Sequence, residues 1–299
     1  MNKTRLILLL ICLLSRPLLA QESNSNENAL DQDIETIDAV KLVNILPGGV
    51  LYLKTNKFDS TDYWVKLGQT RTILIRGNDF DEIYAGINIK AIPGEYLLSV
   101  ETSKEQLATH KFVVPVPQEP IFIDNVDRFF SGAPLSPTKE LSNSLLWSNV
   151  PPKFPLNFPV KGDWSETIGH FYEKNIESST QKNQHNTSEI GVIDHVAIEL
   201  SAPTPVLAPS DAVCFSITFD PNHGYSVILD HGMGLFSEIT GLTNLTITEQ
   251  DRVKQGAVIA NFNTASFLNN KDKPKNRTVR WRTFLNKSII NPYQLIQIK

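Results

Sequence analysis

Residues 224–237 read GYSVILDHGMGLFS, and this stretch decides the fold of the second half of the chain. Two apolar runs flank a turn at residues 231–234, where two glycines can supply positive φ angles. The pattern predicts a β-hairpin. Further short apolar runs lie at residues 216–219 and 257–260, so the second half is predicted to form a compact, mostly antiparallel sheet.

The first half is also predicted to be built from short strands. Turn residues separate them, and no stretch has helical periodicity of useful length, so a small β-sandwich is the expected packing. Its side chains cluster no histidines, cysteines or carboxylates, which favours a spacer or adaptor over partner binding along an edge strand. The predicted strands are residues 51–53, 72–75, 87–89, 96–100 and 111–114.

The first 20 residues are typical of a signal peptide. A basic start is followed by an apolar run from Leu6 to Leu14 that is too short to span a bilayer, and Ala20 provides a small residue for cleavage. Cys12 follows Ile11, where lipidation requires a small residue, so cleavage without a lipid anchor is favoured. No later segment has the apolar length of a transmembrane helix, and the expected location is the periplasm or the exterior of the cell.

Composition divides the remaining chain. Residues 21–39 form a flexible acidic segment, 40–116 the β-sandwich, 117–155 a proline-rich linker or a segment wrapped along a domain surface, and 156–299 the second domain. Loss of the signal peptide leaves 25 basic against 32 acidic side chains, which argues against nucleic acid as a partner. It also leaves Cys214 as the one cysteine, which excludes an intramolecular disulfide.

One pair of residues has a spacing that suggests a metal site. His195 and Glu199 are four residues apart, but an extended strand separates such residues by roughly 13 Å, so they would need a bend to hold one ion. A zinc hydrolase also needs a third protein ligand and a group that handles the proton of the bound water. No second pair of this kind supplies them, and a histidine beside an ordinary carboxylate is the simpler interpretation on spacing alone.

A series of motifs in the second half resembles the LytM or M23 family of lysostaphin-like peptidoglycan endopeptidases. The resemblance implies an all-β fold with a LytM/M23-like antiparallel domain of the duplicated hybrid motif type, and zinc as the cofactor of active members. Parts of the first half resemble the β-sandwich that precedes the peptidase domain in some Gram-negative members. The motifs are residues 158–162 ("PV-G"), 168–169 ("FG"), 195–199 (HxxxD), 201–213 ("AAPxGTPVxAPxxGxV"), 224–235 ("GNxVxIDHGxGL") and 281–292 (from the tryptophan of "HLHWxxxLNxxxVNP").

The family's active-site residues are mostly replaced in this chain. Of the three zinc ligands that the resemblance implies, His195 is unchanged, the aspartate falls on Glu199, and the second histidine of HxH falls on Arg280. A guanidinium stays protonated and has no lone pair for a metal. The two catalytic histidines fall on Thr278 and Gly241, which cannot act as imidazoles. No catalytic residue is therefore expected, and His195 and Glu199 are interpreted as a vestigial metal site.

Arg280 suggests a replacement for the metal rather than a simple loss. A buried Glu199 without a counter-charge would be costly, so we expect Arg280 to pair with it; the alternative is that Arg280 points to solvent as part of a basic strand. The aromatic candidates for a ligand groove are Trp164, Tyr225 and Trp281, with a core position favoured for Trp281.

Three functions follow from these expectations. The first is an exported domain without catalysis or cofactor that binds peptidoglycan or regulates a cell-wall hydrolase. The second is an active zinc metalloendopeptidase that cleaves peptidoglycan cross-links, with His223 or His231 as ligands beside His195 and Glu199. The third is a structural adaptor in an envelope assembly, for which the fold is a scaffold.

Overall fold

The computed structural model describes residues 46–58, 62–89, 91–115, 150–161, 167–169, 174–175, 191–192, 195–200, 202–221, 223–263 and 278–298. Every strand pair in these ranges is antiparallel. The strands of the first half are β1 Val50–Asn56, β2 Trp64–Leu67, β3 Thr70–Arg71, β4 Ile73–Arg76, β5 Phe80–Gly86, β6 Gly94–Glu101 and β7 Gln106–Val114. The second half contains β8 Thr167–Gly169, β9 Lys174–Asn175, β10 Gly191–Val192, β11 Val196–Glu199, β12 Thr204–Leu207, β13 Ala212–Asp220, β14 Gly224–Gly232, β15 Leu235–Leu242, β16 Asn244–Leu245, β17 Arg252–Val253, β18 Val258–Phe262, β19 Thr278–Leu285, β20 Ser288–Ile290 and the helix α1 Pro292–Ile296.

Two sheets form a β-sandwich in the first half, as the sequence predicts. A three-stranded sheet in the order β1-β5-β4 faces a four-stranded sheet in the order β3-β2-β6-β7. Alternate residues from both sheets point inward, as the period of a strand requires, and form one apolar core. This core includes Leu51, Leu53, Val65, Ile83, Leu98, Val100 and Phe112.

The three-stranded sheet is buried on both of its surfaces. In β1, Leu51 faces the sandwich core, whereas Val50 and Tyr52 belong to the core of the second half. Tyr84 of β5 likewise faces the second half and stacks on Phe154 with ring centroids 4.5 Å apart. The three-stranded sheet is therefore a shared middle layer between the two halves.

Backbone hydrogen bonds join the two halves beside this shared layer. The amide of Ile89 donates to the carbonyl of Ile289 at 3.1 Å, and the amide of Asn291 donates to the carbonyl of Gly48 at 2.6 Å. Gly86 lies so close to β19 that an added Cβ would stand 2.9 Å from the carbonyl oxygen of Leu285. The contact is thus close-packed, and it uses a glycine where a side chain would not fit.

Two strands of the sandwich were not predicted, because charged residues interrupt their apolar pattern. β2 contains Lys66, and β5 contains Asp81 and Glu82, so neither shows the apolar run of a buried strand. Glu82 is tolerated there because the hydroxyl groups of Tyr52 and Tyr84 donate to its carboxylate at 2.9 and 2.8 Å. The predicted strand at residues 87–89 is wrong, because β5 ends at Gly86.

The second half is built on an eight-stranded sheet. Seven strands follow the order β17-β13-β14-β15-β19-β11-β8, β20 pairs with β19, and a separate three-stranded sheet has the order β12-β18-β16. The predicted hairpin is confirmed as β14 and β15, with Met233 and Gly234 at φ 50° and 84° in its turn. Helix α1 begins after Asn291, whose side chain accepts a hydrogen bond from the amide of Tyr293.

The described end of the predicted linker, residues 150–155, lies against the second half. The carbonyl of Lys153 accepts from the Ser210 hydroxyl at 2.8 Å, and the carbonyl of Pro155 accepts from the Gln255 amide nitrogen at 2.8 Å. In the described residues, no helix is long and apolar enough to cross a membrane.

Candidate functional site

The eight-stranded sheet has one apolar face and one largely polar face. Val227, Ile239 and Trp281 lie on the first and belong to the core of the second half. Residues of opposite parity form the second, which we call the polar face, and the cross-strand register defines its members. Its polar members include Glu199, Thr218, Ser226, Glu238, Thr240, Thr278, Arg280 and Arg282, and Ile228, Phe236 and Phe284 form a small apolar cluster on the same face.

The predicted metal ligands lie on β11 or immediately before it. β11 pairs with β19 through four consecutive residues without a shift, with Glu199 opposite Thr278 and Ala197 opposite Arg280. His195 lies at a bend just before β11, and the pairing of β11 with β8 shifts its register between Ala197 and Ile198. His195 and Glu199 therefore lie on either side of the position of β11 that stands opposite Arg280.

The donor set on the polar face does not fit a zinc ion. Arg280 stands directly across from Ala197, midway along the chain between the two predicted ligands, and the residue is only 8% exposed. In the described ranges, no three side chains of His, Cys, Asp or Glu form a group that could hold a metal. Tetrahedral zinc sites need three or four such ligands within about 2.3 Å of the ion.

A buried ion pair occupies the next position along the polar face. Arg282 and Glu238 stand opposite each other on β19 and β15, and Nη1 of Arg282 donates to Oε2 of Glu238 at 2.9 Å. The residues are 5% and 7% exposed. Buried charges are tolerated when they are paired in this way.

This pair corrects the expected partner of Glu199. Among the side chains that the structure describes, no ion pair joins Arg280 to Glu199; the carboxylate held by a guanidinium is Glu238. The cross-strand register explains the difference, because Arg280 faces Ala197 and Thr240, whereas Glu199 faces Thr278. Arg280 is also buried, so the alternative of a solvent-facing basic strand does not describe it either.

A row of hydroxyl groups leads across the polar face towards Arg280. Thr218, Ser226 and Thr240 are successive cross-strand partners on β13, β14 and β15, and Thr240 stands opposite Arg280. Thr218 is exposed, Ser226 is half-buried and Thr240 is buried, so the row runs from solvent into the sheet. Hydroxyl groups can both donate and accept hydrogen bonds, which suits neutral polar ligands such as peptides and sugars.

His231 lies on the apolar face, away from His195 and Glu199. It is the extra residue of a bulge in β14, between the pairs Asp230 with Phe236 and Gly232 with Leu235. Both of its ring nitrogens are engaged. Nδ1 lies 3.1 Å from the carbonyl oxygen of Asp211, and Nε2 lies 2.8 Å from Oγ of Ser237.

The hydrogen bonds fix the tautomer of His231. A carbonyl only accepts, so Nδ1 carries the proton and donates to Asp211, and the Ser237 hydroxyl donates to Nε2. Oγ of Ser237 in turn accepts from Nε1 of Trp281 at 3.2 Å. His231 is therefore a neutral structural residue of the core, and this role does not leave a nitrogen for zinc.

His223 is remote from the predicted ligands as well. It lies in the turn between β13 and β14, with its Nδ1 3.1 Å from Oδ1 of Asp220. Three strand steps separate β14 from β11, which amounts to about 14 Å at the usual spacing between strands. Neither histidine of the zinc alternative approaches Glu199.

Gly241 has a conformational reason to be glycine. It is the extra residue of a bulge in β15, with a φ of 85°, and an added Cβ would lie 2.2 Å from the carbonyl oxygen of Thr278. That distance is far below van der Waals contact. The backbone of β19 therefore occupies the space into which a side chain at this position would have to extend.

The aromatic candidates for a groove are placed elsewhere. Trp281 is fully buried in the core, and Tyr225 is half-buried on the same apolar face, with its ring 4.8 Å from that of Phe219. Trp164 lies outside the described residues. The sequence did not predict the pairing of Glu238 and Arg282; the signal was the one charged residue of β15 and the two arginines two residues apart in β19.

The core histidine predicts a specific pH dependence of stability. Burial lowers the pKa of His231 from 6.5 to about 4, against the opposing effect of the Asp211 carbonyl. Since the unfolded chain then binds the proton more tightly, the stabilisation is complete above pH 6.5 and is lost as the pH falls towards 4. Between pH 7 and pH 5, we expect wild type to lose about 2 kcal/mol more unfolding free energy than His231→Gln. Chemical denaturation at both pH values measures this, and equal losses would contradict it.

Comparisons with known proteins show that this fold is similar to that of peptidase family M23. Residues 193–292 match the model of peptidase family M23. The chain is similar to the crystal structure of a Pseudomonas aeruginosa protein assigned to peptidase M23, with 18% identity, 86% of this chain and 97% of that chain covered, and a TM-score of 0.58. It also matches a zinc containing peptidase from Vibrio cholerae, with 12% identity, coverage of 82% and 55%, and a TM-score of 0.35.

A further match is the SpoIIQ–SpoIIIAH pore forming complex, with 17% identity, coverage of 48% and 91%, and a TM-score of 0.34. No curated protein sequence matches the chain. The family match spans β11, β19 and the start of α1, and it therefore includes the strands that form the polar face. The segment from residue 193 to residue 292 is a domain of peptidase family M23.

Proposed function

We propose that this protein is exported to the cell envelope, where its M23 domain binds peptidoglycan or regulates a cell-wall hydrolase without cleaving bonds itself. The observation that carries the proposal is the position of Arg280, a buried guanidinium directly across from Ala197 and between the two predicted ligands, His195 and Glu199. A guanidinium has no lone pair and repels a divalent cation.

The electrostatics of the polar face support the same conclusion. Arg280 and Arg282 lie two residues apart on one strand, and their alternation places both on this face. Glu238 forms an ion pair with Arg282. A zinc ion between His195 and Glu199 would add two positive charges beside a buried cation, at a cost that a low-dielectric site magnifies.

The hydroxyl row supports binding rather than cleavage. Thr218, Ser226 and Thr240 offer neutral donors and acceptors in a line that starts at the surface. Peptidoglycan consists of sugars and short peptides, whose hydroxyl, amide and carbonyl groups match such a line.

A substitution at the exposed end of the row tests the proposal. Thr218→Trp should block the row and weaken co-sedimentation with purified peptidoglycan by about tenfold or more, because indole covers the adjacent strand surface. Phe219→Trp is the matched control: it places the same side chain on the opposite face of the same strand, at a residue that is 61% exposed. Equal binding by both variants, or no binding by wild type, would overturn the proposal.

The zinc-dependent endopeptidase is the second candidate, because the family match and His195 favour it. Zinc per polypeptide, measured by elemental mass spectrometry on protein from zinc-supplemented cells, separates the two. We expect a ratio near zero, since the donor set on the polar face is incomplete. A ratio near one would favour the peptidase, and cleavage of cross-linked peptidoglycan would become the next assay.

A further inference from the structure

A cleft lies at the junction of the two halves, separate from the polar face. Its volume is about 400 Å³, and it opens where the β2–β3 turn, the end of β5 and the β19–β20 turn meet. The β19–β20 turn is at the opposite end of β19 from Thr278, about 23 Å away along an extended strand. A ligand in this cleft would therefore occupy a site of its own.

Asn286 is the notable polar residue of the cleft. It forms the β19–β20 turn with Lys287, at φ 50° and 69°, and it is only 6% exposed. Within the described part of the chain, neither the oxygen nor the nitrogen of its carboxamide has a hydrogen-bond partner. Burial of a carboxamide without partners is costly, so a ligand that supplies both a donor and an acceptor would gain from pairing with it.

The other residues of the cleft define the rest of the ligand. Leu67, Ile87 and Tyr96 provide an apolar wall, which suits a hydrocarbon side chain. Arg71 is exposed at the same cleft, and its guanidinium stacks over the ring of Trp64 at 4.7 Å, which holds the charge in place. A fixed guanidinium favours a carboxylate.

We propose that this cleft binds a short peptide that ends in a free carboxylate. The peptide amide donates to and accepts from the carboxamide of Asn286, an apolar side chain contacts Leu67 and Tyr96, and the carboxylate binds Arg71. The volume lies within the range of small-ligand sites, about 300–1,000 Å³. This site does not depend on the function proposed for the polar face.

Glycyl-leucine is a suitable probe, because it combines one amide, one apolar side chain and one carboxylate. Isothermal titration of the full chain should give a dissociation constant of about 1 mM, the affinity expected of a ligand of this size. Glycyl-leucinamide, which lacks the carboxylate, should bind about tenfold more weakly, and Arg71→Gln should remove this difference between the two probes.

The decisive variant is Asn286→Gly, since glycine accepts the positive φ of the turn and removes the carboxamide. Binding of glycyl-leucine should weaken by about tenfold or more. Lys287→Gly is the matched control, because it changes the other residue of the same turn and does not line the cleft; its affinity should equal that of wild type. Affinity unchanged in Asn286→Gly, or no saturable binding to wild type because the cleft holds solvent only, would overturn the proposal.

Discussion

Gly241→Ala is expected to lower the free energy of unfolding by about 3–5 kcal/mol. About 1–2 kcal/mol comes from a positive φ in a residue with a Cβ, and the remainder comes from the overlap of that Cβ with the backbone of β19. The overlap is severe because the carbonyl oxygen of Thr278 would lie 2.2 Å from the added atom, and this atom belongs to the main chain. Denaturant unfolding of wild type and variant measures the difference.

Gly256→Ala is the matched control for this experiment. Gly256 has a similar φ of 80°, but nothing lies within 4 Å of its added Cβ. Gly256→Ala should therefore lower the free energy of unfolding only by the cost of a positive φ in a residue with a Cβ, about 1–2 kcal/mol. Equal costs at the two positions would mean that β15 and β19 can separate to make room, and the steric explanation of Gly241 would fail.

The same geometry bears on the catalytic histidine that the family resemblance assigns to residue 241. A histidine there needs a Cβ in the space that Thr278 occupies, so a single substitution cannot restore it without moving β19. The departure from the family pattern is therefore a change of the backbone as well as of the side chain. Gly241→His should be at least as unstable as Gly241→Ala.

Arg282→Met should destabilise the protein by about 3–5 kcal/mol, because it removes the guanidinium that donates to the buried carboxylate of Glu238. Glu238→Leu should have an effect of similar size, since it leaves a buried guanidinium instead. The double variant should be more stable than either single variant, within about 2 kcal/mol of wild type, because it removes both buried charges together.

Unfolding of the four proteins in a double-mutant cycle measures this coupling. Lys111→Met is the control for loss of an exposed pair: Lys111 and Glu95 are 3.5 Å apart with side chains 69% and 61% exposed, so the loss should be below about 1 kcal/mol. Additive effects of Arg282→Met and Glu238→Leu would show that the two residues stabilise the sheet independently.

The sequence predicted the elements whose pattern is local. The hairpin of β14 and β15 was predicted because apolar runs and turn glycines lie next to each other in the chain. β2 and β5 were missed because Lys66, Asp81 and Glu82 interrupt their apolar pattern. Part of what pairs with these charges lies on other strands: Tyr52 of β1 donates to Glu82, and Glu101 of β6 pairs with Lys66. The sequence of one strand does not reveal which residues of other strands will pair with its charged side chains.

The candidate site was harder to predict than the fold. Residue types alone established that Arg280 replaces a family ligand, but the partner of each charge depends on the register between strands distant in sequence. Glu238 and Arg282 are 44 residues apart. A shift of the register by two residues would have given Glu199 a guanidinium neighbour, and no feature of β11 alone distinguishes the two arrangements.

The middle sheet constrains how this protein can be divided or recombined. β1, β4 and β5 carry apolar side chains on both surfaces of the middle sheet. Cutting the chain between the two halves would therefore expose apolar surface to water. A C-terminal fragment would lose the layer that covers part of its core, and an N-terminal fragment would expose an apolar sheet prone to association. The two halves should therefore be expressed together. Transfer of the M23 domain alone to another protein would require polar substitutions on the surface that the middle sheet now covers.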